Sequence, residues 1–386
     1  MLFSKKIRQG RHLRYWTVLM PVAALIWVSG LSAQSAPKVA FIMPAPEGAS
    51  VFWTLVSETM QAAAEDLGID LRIVYSRNNS YSQKKDGLAA LNSPNRPDFF
   101  LTGYWVTSTQ HHIKRAEELR VRTFVINSAV AHEERREMGR PRDKYRYWIG
   151  QLTPDDQQAA YTLTDLLISK AKAAGKTDKS GKVHLIVIGG DGIKNSVEEK
   201  RYSGIRQRIA ERGDAVLKEL LLTGWEGEIA YNELLGALKR HPETGAIWSI
   251  TDITALSALD AVRDLGKKPG EDIFIGCFNW SLEAINEVIA GKIAATMGGH
   301  FLEGVKALVL IHDYHYGMDF EDESGLEMLT SLEMVTADNA EEYLHKMSAA
   351  DWRKVDFKQF SKKYNAGIKS DNLTLDALFK LMLPES

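Results

Sequence analysis

The sequence predicts an α/β protein built as two doubly wound lobes, and three observations carry that expectation. Short apolar runs alternate with helix-spaced segments along most of the chain, the alternation that produces parallel sheets covered by helices. The rhythm breaks near residue 150 and resumes after a polar, Gly-bearing stretch from Lys170 to Gly181. At 386 residues the chain also exceeds one average domain, which makes two lobes the natural expectation.

The elements follow in order. Lys38–Met43 is a buried strand bounded by Pro and Gly, and Phe52, Val56, Met60, Ala63 and Leu67 then fall at helical spacing. Strands over 71–75, 98–101 and 122–126 alternate with helices over 82–91 and 108–119. The connection 129–144 interrupts this with dense charge and reads as a long surface loop. A short strand over 145–150 precedes a helix beginning near Asp155, with Thr153 and Asp156 spaced as a cap. The second series places strands at 183–188, 216–222, 246–250, 273–278 and 293–297, with helices between them, and a last strand at 333–335. The Gly189-Gly-Asp-Gly192 turn lacks the spacing of the phosphate-binding glycine motifs and reads as turn chemistry. The expected lobes are 36–150, completed by about 298–330, and 151–297, with 331–386 as last strand and tail.

Composition narrows the function classes. A net charge of −2 offers no electrostatic footprint for nucleic acid. The single cysteine, Cys277, sits in a strand-like run and excludes an intramolecular disulfide. Residues 1–35 combine Lys5, Lys6, Arg8, Arg11 and Arg14 with the apolar run Val18–Leu31 and small residues beyond, the pattern of a cleavable export signal. Cleavage after Ala33 or Ser35 fits, and a soluble protein outside the cytoplasm is expected. No Ser-His-Asp arrangement, metal-ligand cluster or catalytic carboxylate pair stands out, so neither an enzyme nor a cofactor or metal is expected.

In open α/β sheets, ligands bind beyond the carboxyl ends of the strands. Those ends deliver Ser50, Phe52, Trp53, Asn127, Ser128, Gln151, Trp225, Thr251, Asp252, Asn279 and His300, with Arg201 on a neighbouring helix. Amides and hydroxyls can match the donors and acceptors of a neutral polyhydroxylated ligand, and rings can stack on its C–H faces. Asp252 and Arg201 can each grip vicinal hydroxyls through paired hydrogen bonds. Each residue also has a structural reading: Asp252 as a helix N-cap, Arg201 as a surface ion pair, Asn127 as a turn residue and His300 as a satisfied core histidine.

These residues resemble the type I periplasmic sugar-binding proteins, a class related to ribose-binding protein and the furanosyl-borate autoinducer receptor. The likeness rests on Ser50-Val-Phe-Trp53, Asn127, Arg201, the run Ile250-Thr-Asp-Ile-Thr-Ala-Leu256 and Gly276-Cys-Phe-Asn279. It implies two Rossmann-like lobes, three hinge crossovers and a ligand trapped between the lobes. Ribose binders carry Asp-Arg where this chain has Asn127-Ser128, and the receptor's second arginine falls on Gly298 or Gly299. The resemblance further implies a monomer that presents its ligand to an ATP-driven membrane permease or, alternatively, to a sensor kinase. The 129–144 segment and the tail are the candidate docking surfaces.

Overall fold

The computed structural model describes residues 35–192 and 196–383, so the export signal expected over residues 1–35 lies outside it apart from Ser35. The first series runs β1 (Lys38–Met43), α1 (Val51–Leu67), β2 (Asp70–Tyr75), α2 (Ser80–Leu91), β3 (Phe99–Thr102), α3 (Thr109–Leu119), β4 (Arg122–Ile126), α4 (His132–Met138) and β5 (Trp148–Pro154). The second runs α5 (Asp156–Ala173), β6 (Val183–Gly189), α6 (Ser196–Arg212), β7 (Ala215–Leu222), α7 (Gly227–Arg240), β8 (Thr244–Ser249), α8 (Asp252–Asp264), β9 (Phe274–Phe278), α9 (Leu282–Ile289) and β10 (Ala295–Gly298). The chain closes with α10 (Glu303–His315), α11 (Glu321–Ser324), β11 (Glu327–Thr330), β12 (Glu333–Val335), α12 (Ala340–Ala349) and α13 (Leu375–Met382).

Two sheets result. One has the order β11-β5-β4-β3-β1-β2 and is parallel throughout. The other is β12-β10-β9-β8-β6-β7, parallel except for the antiparallel β10–β12 edge pair. Central strands such as β3 and β9 are buried at every residue, as sheets covered by helices on both faces require. In each sheet the order reverses once, between β1 and β3 and between β6 and β8. The chain passes between sheets three times: from β5 into α5, from β10 through the 3-10 turn His300–Leu302 into α10, and from β11 to β12. Helix α10 returns to pack on α1, which flanks the first sheet.

The expected C-terminal strand and tail hold in addition α11, β11, α12 and α13, and three features between the two series also depart from the sequence expectation. Strand β5 runs to Pro154 rather than ending at Gly150, so the first crossover follows Pro154. Gly150 lies within the strand, and its lack of a Cβ makes room for two rings: a Cβ there would meet Phe320 at 2.9 Å and Phe124 at 3.0 Å. The cap of α5 is Asp155, whose carboxylate accepts from Gln158 N–H at 3.2 Å, and Thr153 belongs to the strand instead. The charged connection holds a helix, α4, with Glu133 and Glu134 in its first turn and Arg135 and Arg136 in its last, complementing the helix dipole.

That connection is also tied down rather than free. Arg135 and Arg140 both pair with Glu327 on β11, and Arg142 grips Asp319 through both terminal nitrogens. Glu134 accepts from Tyr104 Oη and from Thr107 N–H. In the second lobe, Arg208 is buried between Asp165 of α5 and Asp214 at the start of β7. The hydrogen bond from Arg208 leads the forces that hold the Asp214 carboxyl down at about 2, with Lys172 adding to it and burial opposing.

A carboxyl depressed on folding adds stability above its unfolded value, and that stability is lost as the pH falls through the folded value. Asp214 should therefore contribute about 2 kcal/mol near neutrality, lost between roughly pH 4 and pH 2. Thermal melts from pH 6 to pH 2 should show Asp214→Asn less stable at neutral pH and converging with wild type at the acid end. Parallel curves across that range would contradict this account of the Arg208 site.

Candidate functional site

Both sheets turn their carboxyl ends toward one cleft of about 610 Å³, inside the roughly 300–1,000 Å³ usual for small-molecule sites. Its walls come from the loops beside the two reversal points, where diverging connections leave a crevice. The first lobe contributes the loop from Pro44 to Trp53, Asn78, the segment Gly103–Trp105, and Asn127 with Ser128. The second contributes Val197, Arg201, Trp225, Glu226, Thr251, Ile253 and Asn279, while His300 lies on the second crossover.

Local chemistry explains how these side chains are aimed. Ser50 caps α1, its hydroxyl accepting from Trp53 N–H at 3.4 Å, which starts the helix where Phe52 and Trp53 turn their rings 75° apart. Asn127 and Asn279 follow β4 and β9 directly, with φ of 65° and 100°. Asn tolerates this left-handed region better than most residues, so each ends its strand in a sharp turn. Ser128 N–H donates to Ile126 O at 2.7 Å around Asn127, and Asn279 N–H donates to Met297 O at 2.8 Å. Trp225 adopts φ 68°, a third non-glycine residue held in an uncommon conformation beside the cleft. Such conformations gather at ligand sites.

The polar groups divide into those already committed and those left over. Ser128 Oγ accepts from Tyr104 N–H at 2.8 Å and donates to Tyr104 O at 3.0 Å. Thr251 caps α8 in a reciprocal box with Thr254. Arg201, 3% exposed, donates to Asp156 at 2.7 Å and to Ile250 O at 2.8 Å, with its guanidinium 3.8 Å from the Phe278 ring centre. Burial raises the Asp156 carboxyl above its ordinary value, and Arg201 draws it back. His300 stacks on Phe52 at 4.6 Å, and its Nδ1 finds no partner among the described residues. Burial, reinforced by Arg201, holds His300 well below the ordinary histidine value, so its ring is neutral at pH 7. By contrast, no hydrogen bond within the described residues engages the side-chain amides of Asn78, Asn127 or Asn279. Three residues with free amides, each amide both donor and acceptor, line a cleft ringed by Phe52, Trp53, Trp105 and Trp225.

Ten of the expected site residues meet at this cleft: Ser50, Phe52, Trp53, Asn127, Ser128, Arg201, Trp225, Thr251, Asn279 and His300. Asp252 does not. Its carboxylate is 3% exposed and accepts from Ile253 N–H and Ser281 N–H, both at 2.9 Å, joining the start of α8 to the turn before α9. It is neither free to grip hydroxyls nor the N-cap, which is Thr251. Gln151 is likewise absent from the lining and donates to Glu327 at 3.0 Å. Among the lining residues that the sequence reading missed, Asn78, Tyr104, Trp105 and Glu226 follow strand ends, whereas Val197 and Ile253 lie in the first turns of α6 and α8. Extending the strand-end rule to β2 and β3 would have found the first three. Among the described residues, no group of three His, Cys, Asp or Glu is placed to hold a metal.

Comparison with known proteins agrees with this fold. The periplasmic binding protein domain family matches residues 39–309. A periplasmic sugar-binding protein from Pseudomonas fluorescens is 28% identical over 85% of this chain and 95% of its own, with a TM-score of 0.75. The binding component of the arabinose ABC transporter from Shewanella sp. ANA-3, solved with L-arabinofuranose, shares the fold at 19% identity, covering 80% of this chain and 95% of its own with a TM-score of 0.68. The myo-inositol binding protein of Caulobacter does so at 17% identity, over 79% and 95%, with a TM-score of 0.64. A search among curated proteins gives no sequence match.

Because Asp252 satisfies the buried N–H of Ser281 and the partly buried N–H of Ile253, Asp252→Ala should lower stability by about 1–3 kcal/mol. Trp105→Ala, at a half-buried position on the cleft wall, should cost less than about 1 kcal/mol. Urea titrations of the two variants check this ordering, and a Trp105 variant as destabilised as Asp252→Ala would contradict the division.

Proposed function

We propose, starting from a chain that belongs to the periplasmic binding protein family, that it traps a neutral sugar or sugar-like molecule and presents it to an ATP-driven membrane importer. The observation that carries this reading is the set of three residues with uncommitted amides, Asn78, Asn127 and Asn279, that line one interlobe cleft together with a ring of aromatic side chains. Hydroxyls of a ligand would exchange hydrogen bonds with the amides while its C–H faces lie against Phe52, Trp53, Trp105 and Trp225. Among the described residues no charged side chain lines the first-lobe wall, and Arg201 is largely spent on Asp156 and Ile250, so a neutral ligand suits the site better than an anion.

The mechanism would be hinge closure. Asn78 and Asn127 belong to one lobe and Asn279 to the other, so a ligand touches all three only when the lobes approach. It therefore stabilises the closed state by the contacts present only there. The sugar-binding neighbour from Pseudomonas fluorescens supports the ligand class. The basic and apolar pattern of residues 1–35 supports export through a cleaved signal, consistent with a family located in the periplasm.

The test is a thermal-shift screen of the mature protein, Gln34 onward, against pentoses, hexoses, polyols and furanosyl compounds. A true ligand at 100 times its Kd should add about 2.7 kcal/mol, read as a rise of a few degrees. Asn127→Gly keeps the left-handed turn while removing the amide, so it should keep the unliganded melting temperature and lose the shift. A shift undiminished in Asn127→Gly, or none across the panel, would overturn the reading.

A further inference from the structure

Beyond the three crossovers of the hinge, the C-terminal segment makes a fourth connection between the lobes. After β12 leaves the edge of the second sheet, α12 docks on α9 in that lobe. Tyr343 meets Trp280 edge-on at 4.9 Å, and its hydroxyl bonds Glu333. Only Ala350 and Asp351 separate α12 from the 3-10 turn Trp352–Lys354, which packs on α1 of the first lobe. There the chain is held firmly. Trp352 is buried against Phe301, Lys358 donates to Asp66 through both N–H and Nζ, and Asp313 accepts from Ser361 Oγ and Lys362 N–H. Helix α13 closes the clasp, with Phe379 beneath Lys346 of α12 and beside Trp352.

The link is short. Three Cα steps from Ala349 to Trp352 reach at most about 11 Å, so the two docks cannot part beyond that reach unless one lets go. The second-lobe dock also touches the site. Trp280 follows the cleft amide Asn279, donates to Thr296 O at 3.0 Å, and lies where a Cβ on Gly298 would come within 2.4 Å. The strand so braced leads directly to His300 and the second crossover.

We propose that the C-terminal segment is a taut strap that limits how far the lobes open and holds the unliganded protein near its closed geometry. A larger closed fraction raises apparent affinity in proportion. That consequence rests on the hinge-closure reading above, whereas the mechanical effect is read with no sugar present, so the two fail separately.

The test uses the full mature protein with nitroxide labels at Lys85→Cys and Glu233→Cys, one exposed position on each lobe; Cys277 is fully buried and leaves labelling to the introduced thiols. Inserting ten Gly/Ser residues between Ala350 and Asp351 slackens the strap and leaves both docks intact. Pulsed electron resonance should then show the interlobe distances broadened and shifted outward relative to the uninserted protein. A second variant, Lys358→Met with Asp66→Asn, loosens the first-lobe dock and should shift the distances the same way. Unchanged distributions in the folded variants would overturn the strap; if the insertion fails to fold, the second variant decides alone.

Discussion

Everything in this molecule depends on the polarity of parallel strands. A parallel sheet collects its strand ends and helix starts on one edge, and both sheets here turn that edge toward the same space. The backbone must reverse sharply there, which is why Asn127, Trp225 and Asn279 hold positive φ values and why polar and aromatic side chains gather there. The remaining structure serves to hold two such edges opposite one another.

The hinge is built with buried polar chemistry rather than loose loops. Asp156, first in α5 after the first crossover, grips Arg201, which in turn holds the end of β8 through Ile250 O. Glu303, first in α10 after the second crossover, accepts from Thr330 Oγ1 at 2.5 Å, just before the third. Burial raises the Glu303 carboxyl well above its ordinary value, while the hydrogen bond from Thr330 and the charge of Lys306 oppose that rise. The Glu303–Thr330 bond ties the second crossover to the third, and Asp155 N–H, donating to Thr330 O at 2.8 Å, ties the first to the third. Two further bonds, Ala129 N–H to Ser196 Oγ at 2.7 Å and His132 N–H to Glu199 at 3.3 Å, join the start of the charged segment to α6. The segment therefore takes part in holding the lobes.

The fold was legible because alternating strands and helices leave a strong periodic signal. The cleft was legible in part because a strand-end rule needs only the strands. Its errors have physical causes. Asp252 read as a ligand group because its neighbours are strand-end residues, but the backbone N–H of Ser281, 29 positions away, claims its carboxylate. Trp105 and Asn78 were passed over because β2 and β3 were read as strands without following where they end. Helix α4 hid inside a charge run whose ion pairs reach β11 almost two hundred residues later. The tail read only as a tail, but its Trp352, Phe357 and Phe360 are buried against α1 by tertiary contacts that no local pattern reveals.

The central claim is that the interlobe cleft selects a neutral polyhydroxylated molecule. The most direct measurement is capture: the mature protein is equilibrated with a mixture of sugars, polyols, amino acids and organic anions, freed of unbound solute, denatured, and the released compounds are identified by mass spectrometry. The account predicts enrichment of a neutral sugar or polyol at up to one molecule per chain. Enrichment of a charged amino acid or anion instead would contradict it.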